Sequence, residues 1–99
     1  MFIKMYRYKI KKKDFQKWEK IVNGANKVYR EYGGKKWMKF TRKEKDIIAI
    51  MEMGFYPAKV YYKKMIKKVD KDPRIKRLFS EFLKLVNRSD IEEEEFELL

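Results

Sequence analysis

A chain of 99 residues with 44% hydrophobic residues, including seven Phe, seven Tyr and two Trp, is long enough for one core that buries roughly 60–70% of its unfolded surface. That composition excludes low-complexity disorder, although 42% of residues are charged and the net charge is +12. The absence of Cys excludes disulfides, thiolate chemistry and cysteine metal sites, and the absence of His removes the commonest general base and metal ligand. No apolar run approaches the ~20 residues that cross a bilayer. The opening Met1-Phe2-Ile3-Lys4-Met5 lacks the pattern of a secretory signal, so a cytoplasmic protein away from membranes is expected. Abundant Lys and Glu, with one Gln (Gln16) and three Asn, resemble the usage of thermophile proteins.

The charge is uneven. Residues 91–99 hold five Glu and no basic residue, so residues 1–90 carry +17 against the chain's +12. Such a surface is soluble and attracts polyanions, without implying a nucleic-acid function by itself.

Period-two alternation predicts a first strand over Met1–Lys11, with Phe2, Lys4, Tyr6, Tyr8 and Ile10 on one face. Asp14 is placed to cap a helix whose apolar residues Phe15, Trp18, Ile21, Val22, Ala25, Val28, Tyr29 and Tyr32 recur at spacings of three and four. Gly33-Gly34 should end that helix through a left-handed glycine. Strands are predicted over Lys35–Arg42 and Asp46–Phe55, joined by Lys43-Glu44-Lys45 as an antiparallel hairpin, the second being the most apolar and therefore central. Pro57 suits the first turn of a helix with a stripe of Ala58, Tyr61, Tyr62, Met65, Ile66 and Val69. Asp72-Pro73 breaks and restarts it, Asp72 as N-cap, with Ile75, Leu78, Phe79, Phe82, Leu85 and Val86 inward. After a polar exit at 87–90, Ile91–Leu99 is expected as a last strand. Consecutive glutamates form strands poorly, so a neighbouring Lys-rich strand must support it through cross-strand ion pairs of about 0.2–1 kcal/mol each.

The order β-α-β-β-α-α-β predicts one α+β domain over residues 1–99, ferredoxin-like, with a four-stranded antiparallel sheet and helices on one face. Ile48 and Ile50 oppose Ile47, Ala49 and Met51, so both faces of that strand are apolar, and a second copy of the chain is expected to cover the face the helices leave open.

The four glycines match no phosphate-binding loop, and without His or Cys the Ser-His, Cys-His and zinc constellations are impossible. Asp70 and Asp72 flank Lys71 where a hard cation would fit, but capping explains them and no metal site is expected. Asn87-Arg88-Ser89 fits a glycosylation sequon that a cytoplasmic chain leaves unused. Lys59, Lys63 and Lys67 form an i, i+4 row with Lys64, Lys68 and Lys71 beside it, either a phosphate-contacting face or an ordinary solvated one, with Val60 in its midst. The aromatic octapeptide of the RNA-recognition motif is absent. Phe15, Trp18, Tyr29 and Tyr32 read as core, whereas Tyr6, Tyr8 and Trp37 sit on strands, where a core or a ligand role is open.

The opening strand, the helix Asp14–Tyr32, the hairpin with Trp37 and Ile47–Met53, the helix broken at Asp72-Pro73 ahead of Phe79 and Phe82, and the closing strand together resemble the dimeric α+β barrel superfamily, which includes the antibiotic-biosynthesis-monooxygenase-like proteins. The resemblance implies a homodimer with facing sheets and a pocket between each sheet and its own helices. Its members include cofactor-independent oxygenases, haem-degrading enzymes, isomerases and ligand-sensing domains. The haem-binding members use a proximal histidine that this chain lacks, so no cofactor is expected.

Two functional readings follow. In the first, a small apolar or aromatic molecule is bound by Tyr6, Tyr8, Trp37, Arg42 and Met51, in a cofactor-independent oxygenase or isomerase. Tyr6 or Tyr8 would orient a substrate oxygen, and Arg42 would steady a developing anion. In the second, a nucleic-acid-associated protein contacts phosphates through Lys59, Lys63, Lys64, Lys67, Lys68 and Lys71. Whether the chain is an enzyme is left open by these residues.

Overall fold

The computed structural model describes residues 1–99. Strand β1 (Phe2–Lys11) leads through a single 3-10 turn (Lys12–Asp14) into helix α1 (Phe15–Glu31). The hairpin β2 (Lys36–Glu44) and β3 (Ile47–Tyr56) follows, then α2 (Lys59–Lys71), α3 (Pro73–Phe82), a second 3-10 turn (Arg88–Asp90) and β4 (Glu92–Glu97). The four strands form one antiparallel sheet in the order β2-β3-β1-β4. The α+β class, the ferredoxin-like element order and the helix layer on one face are those expected from the sequence. No helix is long and apolar enough to cross a membrane.

Register fixes which side chains face the helices. Tyr6 lies opposite Glu52, Tyr8 opposite Ile50, Phe2 opposite Tyr56, and Trp37 opposite Gly54. The even-numbered residues of β1 and β3 therefore share the inner face with the odd-numbered residues of β2 and β4. In β3 every even-numbered residue from Ile48 to Tyr56 is buried, and no odd-numbered one is.

Several local details differ from the expectation. Asp14 belongs to the 3-10 turn and makes no side-chain cap hydrogen bond to α1. Pro57 precedes α2, which starts at Lys59 after an extended Ala58. The hairpin turns at Lys45-Asp46, two residues only, with Lys45 at a positive φ of 29°. Other signals act as expected. Gly33, at φ 107°, ends α1. Asp72 accepts from the Arg74 backbone N–H at 2.8 Å and caps α3 with Pro73 in its first turn. The Arg74 guanidinium and the Tyr32 hydroxyl also donate to this carboxylate and hold it well below the usual carboxylate range.

The acidic β4 pairs with β1 of the same chain. Lys4 lies between Glu93 and Glu95, Arg7 pairs with Glu92 and Glu94, and Lys59 of α2 reaches Glu95 at 2.8 Å. A strand of poor intrinsic propensity is thus held by complementary charge, each exposed pair contributing at most about 1 kcal/mol.

Between sheet and helices the core forms two clusters. One joins Tyr8, Ile10, Ile48 and Ile50 to Trp18, Val22 and Val86; the other joins Phe2 and Tyr56 to Met65 and Val69 of α2. Each fully buried aliphatic or aromatic side chain contributes about 1.5–3 kcal/mol. The clusters leave an unfilled space between them.

Gly54 shapes the wall of that space. A Cβ at this position would stand 2.7 Å from the six-membered ring of Trp37 and 2.9 Å from the Tyr56 hydroxyl, so only glycine lets the indole lie down on the sheet. Gly54→Ala should therefore destabilise the fold by about 1–3 kcal/mol in urea denaturation and shift the Trp37 fluorescence. An unchanged midpoint and spectrum would contradict this packing.

Candidate functional site

The unfilled space is a cavity of about 700 Å³ between the inner sheet face and the helices, lined by 21 residues of which 14 are hydrophobic. Its size is that of a small-molecule site. Strand residues Tyr6, Tyr8, Trp37 and Glu52 form the sheet wall, and Val22, Ala25, Tyr29, Ile66, Leu78 and Phe82 come from the helices.

The notable group is Glu52. It occupies an inward position of β3 flanked by Ile50 and Gly54, and it is only 7% exposed. Its Oε2 accepts from the Tyr8 hydroxyl at 2.7 Å and its Oε1 from the Trp37 indole N–H at 3.2 Å. The Tyr8 oxygen in turn accepts from the Trp18 indole N–H at 2.6 Å. The network runs from α1 through β1 and β3 to β2, so four elements fix one carboxyl group.

Burial pushes the Glu52 carboxyl above its ordinary range, against the hydrogen bonds from Tyr8 and Trp37 and the attraction of Lys39. The Tyr8 hydroxyl is also pushed up, chiefly by burial and then by the neighbouring Glu52 charge. Tyr6 is raised by burial and by Tyr62, and Tyr29 by burial. These phenols stay protonated and act as donors. A carboxylate with each oxygen holding one donor keeps a further lone pair on each for a ligand proton.

Of the residues anticipated for a ligand site, Tyr6, Tyr8 and Trp37 line the cavity. Trp37 packs between Tyr6, with ring centres 6.3 Å apart, and Tyr29, at 5.6 Å. Arg42 and Met51 lie on the outer sheet face and do not line it. Arg42 is exposed and donates to Glu44 from Nε at 3.0 Å and from a terminal nitrogen at 2.9 Å, so it cannot steady an anion in the cavity. Lys4, buried on the inner face with Nζ 5.5 Å from the centre of the Tyr6 ring, is the cation on the sheet wall. Trp18, read as core, is buried but also completes the polar network.

Glu52 and Lys4 were visible in the alternation: both fall on apolar inward faces, where an ionisable residue is costly and therefore informative. The α2 lysines Lys63, Lys64, Lys67, Lys68 and Lys71 are exposed, away from the cavity, and Lys59 is engaged by Glu95. No three Asp or Glu side chains converge to hold a metal ion, and the Asp72 carboxylate is taken by Arg74 and Tyr32.

No protein-family model matches the chain, and no curated protein matches it in sequence. Solved structures do match it. Atu4242 from Agrobacterium tumefaciens, a NIPSNAP family protein of unknown function, has a TM-score of 0.81 at 15% identity, over 100% of this chain and 94% of that one. An antibiotic biosynthesis monooxygenase gives 0.74 at 11% identity, over 100% and 99% of the two chains. SnoaB, a cofactor-independent oxygenase from Streptomyces nogalater, gives 0.73 at 6% identity, over 98% and 92%. At these identities it is the fold that is shared: the chain has the ferredoxin-like α+β fold of the antibiotic-biosynthesis-monooxygenase-like and NIPSNAP proteins.

Proposed function

We infer that this chain binds a small apolar or aromatic molecule in the cavity and that Glu52 acts on it as a general base, in an isomerase or a cofactor-independent oxygenase. The observation that carries the reading is one buried carboxyl, held by Tyr8 and Trp37, on the wall of a largely apolar cavity of about 700 Å³. Burial raises its basicity, which suits it to removing a weakly acidic proton near neutral pH. The proton moves from a C–H or phenolic O–H of the ligand to a Glu52 oxygen, and the electron pair stays on the ligand as an enolate or phenolate. An isomerase returns the proton to another carbon. In an oxygenase without a cofactor, the electron-rich anion gives one electron to dioxygen. The ligand radical and superoxide combine with a proton as a hydroperoxide, and loss of water leaves the ligand carbon as a carbonyl. SnoaB is named as a cofactor-independent oxygenase.

Tyr8 and Trp18 position the carboxyl. Tyr29, protonated and on the wall, is a donor available to the developing oxyanion. The exposed α2 lysines support electrostatic adhesion to phosphates, with no enclosed site beside them, and rank second.

The same reading includes a homodimer in which residues 1–99 form one domain of an α+β barrel. Met38, Phe40, Ile47 and Phe96 are 39–45% exposed on the outer sheet face, where Ile3, Met51, Met53 and Phe55 continue the apolar surface. A second sheet related by a twofold axis covers such a face. Light scattering should give twice the 12.3 kDa chain mass. Phe40→Glu, which places a charge on this surface while leaving the inner core intact, should give the single-chain mass. A native monomer would refute the dimer and leave the cavity intact.

For the chemistry, the probe is β-tetralone, an aromatic ketone with acidic α-protons. Exchange of those protons for deuterium in D2O, followed by NMR, should be accelerated by the native protein. Glu52→Gln, which keeps the shape and loses the base, should lower the rate about 10²–10⁴-fold. Equal rates for the native chain and the variant would remove Glu52 from the chemistry.

A further inference from the structure

The charged side chains that line the cavity fall into two groups. Lys4 holds Glu93 and Glu95 at 3.8 and 3.3 Å and Glu52 has Tyr8 and Trp37, whereas Asp70 is exposed on α2 with no ion pair or side-chain hydrogen bond. Lys76 and Arg88 also line the cavity, but both are exposed and neither forms an ion pair or a side-chain hydrogen bond. They belong to separate segments, α3 and the 3-10 turn ahead of β4.

Phe79 brings the two together. Lys76 and Phe79 are three residues apart on α3 and so are neighbours on one helix face. The Arg88 guanidinium carbon lies 5.5 Å from the centre of the Phe79 ring, which is 41% exposed and also lines the cavity. A guanidinium stacked on a ring loses freedom but keeps its edge N–H groups, which match an oxyanion in pairs. Two unpaired cations and an exposed ring thus mark the rim, whereas Glu52, 7% exposed, lies on the deep wall.

We propose that the ligand is an anionic amphiphile: its carboxylate or other oxyanion is held at the rim by Arg88 and Lys76, its apolar aromatic body fills the cavity, and its proton-bearing end meets Glu52. This polarity has an electrostatic reason, since an anion at the deep end would face the Glu52 carboxylate and an anion at the rim faces two free cations. The inference rests on the cavity being a ligand site and adds the class and orientation of the ligand.

The test uses two fluorescent probes with one aromatic frame, anilinonaphthalene sulfonate and the uncharged phenylnaphthylamine. The native chain should bind the sulfonate about tenfold more tightly, the effect of charge-assisted contacts at a solvated rim. Combining Arg88→Gln with Lys76→Gln should remove that preference and leave phenylnaphthylamine affinity unchanged. Combining Lys63→Gln with Lys67→Gln subtracts the same charge from the exposed surface of α2 and should leave the preference intact. Equal loss in both variants would assign the preference to net charge and overturn the proposal. Equal affinity of the native chain for the two probes would overturn it while the cavity reading stands. If neither probe binds, or if Ala25→Leu, which fills part of the cavity, does not weaken binding, the cavity reading fails and this inference with it.

Discussion

A carboxyl group withdrawn from water loses hydration worth several kcal/mol, and a fold tolerates the loss only where other donors replace the water. Glu52 sits under that constraint on the inner face of β3, and much of the site's arrangement answers it. Tyr8 must stand opposite Ile50 for its hydroxyl to reach Glu52, Trp18 must be buried on α1 to fix that hydroxyl, and Gly54 must lack a Cβ so that Trp37 can lie against the sheet and donate from the other side. No buried side-chain polar atom is left without a partner, so the network is complete. The compensation is still partial. Burial outweighs the donors and leaves the carboxyl more basic than a surface glutamate.

This arrangement separates the two functions of the interior. The two core clusters supply stability at either end of the sheet, and the space between them holds the polar groups. Filling that space with aliphatic side chains would add burial energy, so an unfilled, partly polar interior is the kind of local inconsistency expected where a protein binds or reacts. Charge follows a similar division. Glu92, Glu93, Glu94 and Glu95 of β4 are engaged with Lys4, Arg7 and Lys59, whereas the cations at the cavity rim have no acidic partner.

The fold was legible because its signals were periodic. Alternation in β1 and β3, the three-and-four spacing in α1, and the Asp72-Pro73 break specified elements that the structure contains. Ends were less legible: Asp14 has the right chemistry for a cap, yet the chain makes a 3-10 turn there, and Pro57 remains outside α2. The cavity wall is legible in part. Tyr6, Tyr8 and Trp37 were drawn from strands on aromatic character, and they line the cavity. Arg42 on β2 and Met51 on β3 lie one residue out of phase with the inward positions of their strands, and a one-residue difference in a strand exchanges the two faces. Glu52 is not among the residues anticipated for the ligand site. Its spacing of two and four from Ile50 and Ile48 placed it inward. The two-residue turn that sets the β2–β3 register, and with it the position of Trp37 over Gly54, depends on the positive φ of Lys45, for which a lysine gives little local signal.

Glu52 is a buried, basic carboxyl facing a cavity. Its titration by NMR, with the side-chain carboxyl carbon labelled and assigned against Glu52→Gln, measures this directly. A carboxyl raised on folding binds protons more tightly in the native than in the unfolded chain, so its contribution favours the folded state least once pH has passed through the raised value. The midpoint of Glu52 should lie above its ordinary 4.5 and above those of Glu44 and Glu95, which neighbouring cations lower. A midpoint at or below 4.5 would mean that the carboxyl is solvated or paired and is not the buried base of the cavity.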